Sequence, residues 1–144
     1  MDLLIRPARD GDAARLREIA GAAKAYWGYD AERVRTWAES LTPVGEVEVA
    51  EAEGVLIAWM TLLCAAEGRW LLEDLWVDPP WIGNGVGRAL FCRAAARARE
   101  FGASTLELEA EPNAVGFYQK MGAHRVGERL SSWHRMLPVM RVEL

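Results

Sequence analysis

Cysteine and histidine are scarce in this 144-residue chain, which has two of each. Cys64 and Cys92 are too few for a disulfide framework or a four-cysteine zinc site, and leave at most a single bridge. His124 and His134 make no metal-ligand spacing, so no metal is expected. Poverty in cysteine fits a reducing compartment, and a cytoplasmic location is the expectation. A basic excess is also missing. Lys and Arg total 17 against 21 Asp and Glu, a net charge of −4, which argues against a general nucleic-acid partner. Long hydrophobic runs are absent too. The longest nearly apolar stretch, Val55 to Ala66, falls well short of the roughly 20 residues that span a bilayer, so no membrane partner is expected. The start, Met1 to Arg6, has neither the basic nor the apolar segment of a signal peptide. Repeats, low-complexity stretches and linkers are not seen.

What is present is globular. Hydrophobic residues make up 51% and charged residues 26%, a balance that excludes disorder. The length predicts one domain over residues 1–144. Leu3 to Arg6 reads as a strand. Asp10 is placed to cap a helix over 11–25, with Leu16, Ile19, Ala20 and Ala23 at helical spacing. A second helix runs from Asp30 or Ala31 to Leu41. Val47 and Val49 alternate with Glu46, Glu48 and Glu51, the pattern of a half-exposed strand. Glu53-Gly54 marks a hairpin turn. Strands over 55–64 and 71–77 follow. Gly85 to Glu100 reads as a helix with Leu90, Phe91, Ala94 and Ala98 inward and Arg93 and Arg97 on a solvated face. A strand over 105–110, a short helix opened by Pro112-Asn113 and strands over 124–130 and 137–143 complete the chain. The predicted fold is α/β: a mixed, mostly antiparallel sheet of about seven strands with about four helices.

The most informative segment is the strand Leu71–Val77 running into Asp78-Pro79-Pro80-Trp81-Ile82-Gly83-Asn84-Gly85-Val86-Gly87-Arg88. Gly83, Gly85 and Gly87 remove side chains from successive turn positions, so backbone N–H groups can converge on a phosphate oxygen. The helix that follows adds unpaired N–H groups and a positive dipole end. A tight turn with purely conformational glycines explains the same letters, since Asn84-Gly85 is itself a common hairpin turn. No Lys-Ser/Thr follows the glycines, and the Gly-x-Gly-x-x-Gly spacing is missing, so neither common nucleotide fingerprint fits.

Leu72-Glu73-Asp74-Leu75-Trp76-Val77-Asp78-Pro79, followed by Gly83 to Leu90, resembles the acyl-CoA signature of the GNAT superfamily of N-acetyltransferases. The run from Leu106 to Ala123, with Glu109-Ala110-Glu111-Pro112-Asn113 and Gly116-Phe117-Tyr118, resembles that family's second motif. Ile5-Arg6-Pro7-Ala8 is similar to its usual start. The resemblance covers nearly the whole chain. It implies an acetyltransferase that uses acetyl-CoA, with the pyrophosphate on Gly83, Asn84, Gly85, Val86, Gly87 and Arg88. It also implies a pantetheine arm against Leu75 and Val77, on an edge opened by a bulge and by splaying from strand 105–110. Ile82 stands where the family usually has Arg or Gln, which implies weaker CoA binding.

An amine with a pKa near 10.4 must lose a proton before it attacks a thioester. Glu73 is the candidate base: it shares a strand face with Leu75 and Val77, while Asp74 points the other way. A solvated strand residue or a salt-bridge partner is the plainer reading of Glu73. A similar Leu-Glu-Asp followed by aromatics supplies carboxylates to the amine site of diamine acetyltransferases in the superfamily, which makes Asp74 a candidate amine-binding residue. The resemblance places a general acid at Tyr118 and a CoA contact at Asn113. Asn113 also reads as a helix N-cap. Tyr26-Trp27-Gly28-Tyr29 either lines a site for an organic cation or packs as a loop on the core, and Trp76 borders the acceptor. Trp37, Trp59 and Trp70 read as core or interface and the two cysteines as packing residues, while His134 either stays on the surface or reaches the acceptor site from the final loop. A small-molecule primary amine is the first expectation for the acceptor, attacked directly in a ternary complex. A protein N-terminus or lysine, a member that binds CoA or another ligand without turnover, and a purely structural dimerisation module are the alternatives. The closing strand 137–143 offers itself for pairing in a homodimer.

Overall fold

The structure is a computed structural model, and it describes residues 2–144. Seven strands and four α-helices follow one another in the order the sequence predicts: β1 (Leu3–Pro7), α1 (Ala13–Tyr26), α2 (Ala31–Ser40), β2 (Glu46–Ala52), β3 (Val55–Ala66), β4 (Arg69–Val77), α3 (Val86–Glu100), β5 (Thr105–Glu109), α4 (Val115–Lys120), β6 (His124–Leu130) and β7 (Met136–Glu143). The strands form one mostly antiparallel sheet in the order β1-β2-β3-β4-β5-β7-β6. The β4–β5 pair is its parallel element. The chain divides into two compact units. One holds the residues up to Thr61 together with Asp74–Leu90, and the other holds Leu62–Glu73 with Phe91–Leu144.

In the first unit, Leu16, Ile19 and Ala20 of α1 pack with Val49, Leu56 and Trp59. Trp59 has no exposed surface, and its indole N–H donates to the Leu16 carbonyl at 2.9 Å. That bond satisfies the one polar atom of a large side chain which would otherwise be costly to bury. Gly21 lets α2 approach α1 closely, since a Cβ there would lie 3.3 Å from that of Ala38. Asp30 caps α2, accepting from the Arg33 amide at 3.0 Å. Glu53 and Gly54 both take positive φ, 53° and 78°, which suits the primed turn of a tight hairpin.

Arg6 ties β1 to the turn before α1. Its guanidinium donates to both Asp12 oxygens, at 2.8 and 3.1 Å, and to Glu51 at 3.1 Å. Asp10 does not cap α1. A 3-10 turn over Asp10–Asp12 precedes the helix, and the Asp12 carboxylate accepts from the Arg9 amide at 2.7 Å. The hydrogen bonds from Arg6 hold the Asp12 carboxyl below its ordinary range. A depressed carboxylate adds stability above its unfolded pKa, near 3.9, and loses it as pH falls through the folded value. Asp12→Asn is therefore expected to be less stable at pH 7 and to show a flatter loss of stability below about pH 4. Urea unfolding at pH 7 and at pH 3 checks both. An Asp12→Asn variant that loses as much stability on acidification as the parent would remove Asp12 from acid unfolding.

In the second unit, β5 pairs with β7 from Thr105↔Glu143 to Glu109↔Val139, and β6 pairs outside β7 with a register shift between Arg125 and Gly127. The buried Glu107 carboxylate accepts from Arg141 at 2.9 Å and from Arg69 at 3.5 Å. Trp70 stacks on Phe101, with centroids 4.7 Å apart and planes 6° from parallel.

Several expectations are corrected. Glu48 is buried rather than half exposed: β2 buries Glu48, Val49 and Ala50 in succession, so both faces of the strand are covered there. Cys64 and Cys92 are exposed and do not pack in the core. Arg97 is half buried rather than fully solvated, with its guanidinium 4.7 Å from the centre of the Phe101 ring. Asn113 is not the cap of α4: a 3-10 turn over Pro112–Ala114 comes first, and Ala114 is the N-cap. The closing strand is not a free edge either. β7 is paired on both sides, by β5 and β6, and β6 is the edge strand.

Candidate active site

β4 passes into the glycine segment through a tight path. The Asp78 amide donates to the Ile57 carbonyl at 2.9 Å, and the Arg15 guanidinium reaches the Asp78 carboxylate at 2.9 Å and the Leu56 carbonyl at 3.1 Å. Pro79 and Pro80 open a 3-10 turn, whose amides at Trp81 and Ile82 bond back to Asp78 and Pro79. The Asn84 amide bonds to the Trp81 carbonyl, and its side-chain amide turns back to Trp81 and Ile82. Gly83 and Gly85 stand at φ of 87° and 80°, which side chains with a Cβ rarely adopt. A Cβ at either would meet nothing within 4 Å, so both positions face open space.

α3 then begins at Val86, which is buried like Leu90 one turn on. The Ala89 amide is the first to close a helical bond, to the Gly85 carbonyl at 3.1 Å. Among the described residues, the amides of Gly83, Gly85, Val86, Gly87 and Arg88 take no part in the backbone bonding of this segment. Five N–H groups at the positive end of a fifteen-residue helix, with two glycines leaving the approach open, fit an anion such as a diphosphate. Arg88 is exposed beside them.

β4 supplies an edge next to this loop. Because Asp78 donates to β3, strand alternation turns the Trp76 and Asp74 backbone toward β3 and that of Leu75 and Val77 away from it. The parallel register with β5 runs only from Arg69↔Thr105 to Leu71↔Glu107, while β4 continues to Val77. Leu75 and Val77 thus present N–H and C=O groups able to pair with an extended amide-bearing chain.

The side chains of Asp74 and Trp76 form a bonded group on β4. Asp74 accepts from the Thr61 hydroxyl at 2.7 Å and from the Trp76 indole N–H at 3.0 Å. Trp76 meets Trp37 edge-on, with centroids 5.6 Å apart. The Lys24 ammonium lies 4.6 Å from the ring centres of both Tyr29 and Trp37, and 5.6 Å from that of Trp76. Tyr26 and Trp27 pack edge-on against one another at 5.0 Å, with Tyr26 largely exposed. The rings around the Lys24 ammonium are thus Tyr29, Trp37 and Trp76. Trp37 was not expected among them, and no local pattern marks it. Thr61 did leave a signal, as the one polar residue in the apolar run of β3.

In the second unit, Glu73 is exposed and lies within electrostatic reach of Arg129. Arg129 also donates to the Glu109 carboxylate. Tyr118 is buried, with its ring tilted against Phe91 at 5.9 Å and edge-on to Phe117 at 5.0 Å. Burial pushes its phenol above the ordinary tyrosine value, so the oxygen keeps its proton throughout the neutral range. Asn113 is exposed in the turn before α4.

Comparison with known proteins identifies the family and matches the fold. The sequence profile described as the Acetyltransferase (GNAT) family matches residues 13–123. An aminoglycoside N(6')-acetyltransferase type 1 of Stenotrophomonas maltophilia is 29% identical over 137 residues, which span 78% of this chain and 84% of the relative. A blasticidin-S acetyltransferase of Streptomyces morookaense is 47% identical over a shorter stretch of 57 residues, 38% of this chain and 42% of that one. The fold also matches the crystal structure of the PaiA N-acetyltransferase of Thermoplasma acidophilum in complex with coenzyme A. That match has a TM-score of 0.81 and 20% identity, and it covers all of both chains.

Proposed function

This chain belongs to the GNAT acetyltransferase family, and we propose that within it the chain transfers acetyl from acetyl-CoA to a primary amine of a small molecule by direct attack. One observation carries the reading: the amides of Gly83, Gly85, Val86, Gly87 and Arg88 stand without backbone partners at the start of α3. They hold the diphosphate, with Asn84 shaping the turn. The outward N–H and C=O groups of Leu75 and Val77 hold the pantetheine arm as an added strand would be held. Asn113 adds a polar contact to the cofactor. When bound, acetyl-CoA supplies a thioester carbonyl open to a nucleophile.

The acceptor nitrogen arrives as ammonium and must be neutral to attack. Glu73 takes its proton, directly or through water. With a thioester bound, the phenol of Tyr118 would donate a hydrogen bond to the sulfur as the C–N bond forms and the C–S bond breaks, and the nitrogen's second proton would pass through water to the departing thiolate, which leaves as the thiol. A small-molecule acceptor is supported by the relatives, whose names specify an aminoglycoside and blasticidin S. Tyr26, Trp27 and Trp76 border the acceptor. Asp74 serves it through Trp76, whose indole it fixes. The reading takes 1–144 as one catalytic domain acting in the cytoplasm, and places any self-association on the β6 edge. No helix among the described residues is long and apolar enough to cross a membrane.

The test has two steps. Acetyl-CoA at about 100 times its dissociation constant should stabilise the chain by roughly 2.7 kcal/mol in a thermal-shift assay. Release of free thiol should then depend on an added primary amine. Stabilisation without thiol release across a broad amine panel would favour a CoA-binding member without turnover. No stabilisation at all would end the proposal.

A further inference from the structure

The rings around Lys24 have the build of a ligand site. Three aromatic faces lie within cation–π reach of one ammonium, at 4.6, 4.6 and 5.6 Å. Two of the walls are held in place. The Trp76 indole is pinned by Asp74, which is itself bonded to Thr61, and both Trp37 and Trp76 pack on the Leu16–Trp59 core. Tyr29 closes the third side from the turn between α1 and α2. Lys24, Tyr29, Trp37 and Trp76 are all half buried, so solvent reaches the cluster. The choice of lysine also stands out. Lys24 and Lys120 are the only lysines among 17 basic residues, in a chain that otherwise uses arginine. A compact ammonium on a flexible stem enters and leaves such a cage more readily than a planar guanidinium.

We propose that Tyr29, Trp37 and Trp76 form a binding site for the ammonium group of an organic cation, and that Lys24 fills this site as an internal competitor. A cage shaped around a tethered ammonium has the geometry for a free one, because the ring quadrupoles do not distinguish the two. The tether keeps Lys24 at an effective concentration on the order of millimolar. A ligand must therefore displace it, and its apparent dissociation constant rises by the inverse of the fraction of cage left open. Where the proposed acetyl transfer holds, on which this last step rests, the cage takes the cationic end of the acceptor that does not react. The attacking nitrogen has to be neutral and the caged one charged, so the acceptor carries two basic nitrogens. The Asp74 carboxylate at the Trp76 indole N–H favours the charged ligand over a neutral one of the same shape.

The experiment uses n-butylammonium chloride as probe, n-butanol as a neutral control of like shape, and sodium chloride to hold ionic strength. Binding to the whole chain is read from the indole N–H signals in two-dimensional NMR, without acetyl-CoA. Lys24→Met is expected to bind butylammonium roughly five- to tenfold more tightly than the parent, with n-butanol showing no such gain. Lys24→Gln, which keeps a polar side chain on α1, should show the same gain, and adding Trp37→Leu should abolish it. Equal butylammonium affinity in the parent and both Lys24 variants would overturn the proposal, as would n-butanol binding as well as butylammonium. Butylammonium binding with the Lys24 gain but without acetyl-CoA stabilisation supports the cation site and overturns the acetyl-transfer reading. Amine-dependent thiol release with no gain in either Lys24 variant does the reverse.

Discussion

Tyr118→Phe is expected to lower kcat by about 10²- to 10³-fold while leaving the dissociation constant for acetyl-CoA nearly unchanged. The variant is clean because phenylalanine keeps the ring between Phe91 and Phe117 and removes only an oxygen. The size follows from what the phenol does. A thiol with a pKa near 8.5 is a stronger acid than tyrosine, so full proton transfer to the departing thiolate runs uphill. Burial pushes Tyr118 higher still and makes that transfer harder. What remains is a hydrogen bond to developing negative charge, given by a donor that is always protonated. Its loss is felt in the transition state and hardly in the ground state. Since the phenol titrates far above neutrality, it contributes no limb to the rate profile between about pH 6 and 9. Steady-state kinetics with calorimetric CoA binding measures both effects. A Tyr118→Phe variant with parental kcat would take Tyr118 out of the mechanism.

Trp59→Ala is expected to destabilise the fold by about 3–5 kcal/mol, a large part of the 5–15 kcal/mol typical of a domain. Thermal unfolding should fall by roughly 10–20 °C. Trp59 is fully buried among Leu16, Ile19, Ala20, Val49 and Leu56, and a methyl group cannot fill its volume. The damage should reach the site as well. Trp59 anchors the Leu16 carbonyl of α1, and the adjacent Arg15 grips Asp78 at the entry to the glycine segment. Acetyl-CoA affinity should therefore fall along with stability. Trp59→Phe keeps most of the buried surface and should lose clearly less of both. Urea unfolding together with thermal shift in acetyl-CoA reads the two quantities. A loss under about 1 kcal/mol in Trp59→Ala would mean that this packing does not hold the unit together.

The glycine turn was legible because its physics is local. Glycines that permit positive φ, a helix start with unpaired amides and a strand leading in all lie within one stretch, 71–90. Elements fixed by periodicity followed in the right order for the same reason. Boundaries set by the finer balance of 3-10 and α hydrogen bonding did not. Asp10 and Asn113 have cap chemistry, yet each sits in a 3-10 turn that displaces the α-helix start by a few residues. Exposure was also misread where a neighbour decides it. Glu48 alternates like a surface residue but lies where both faces of β2 are covered.

From its own letters the chain determined the order of strands and helices, the glycine turn at Gly83 and Gly85, and the family to which it belongs. Those depend on interactions between residues close in sequence, or on motifs that are themselves contiguous. Only the tertiary structure decided which rings meet Lys24. Lys24, Tyr29, Trp37 and Trp76 come from α1, the turn after it, α2 and β4, and no spacing in the sequence brings them together. Their meeting follows from how α1 and α2 pack over Trp59 and its neighbours, a result of three-dimensional shape that pattern along a line does not carry.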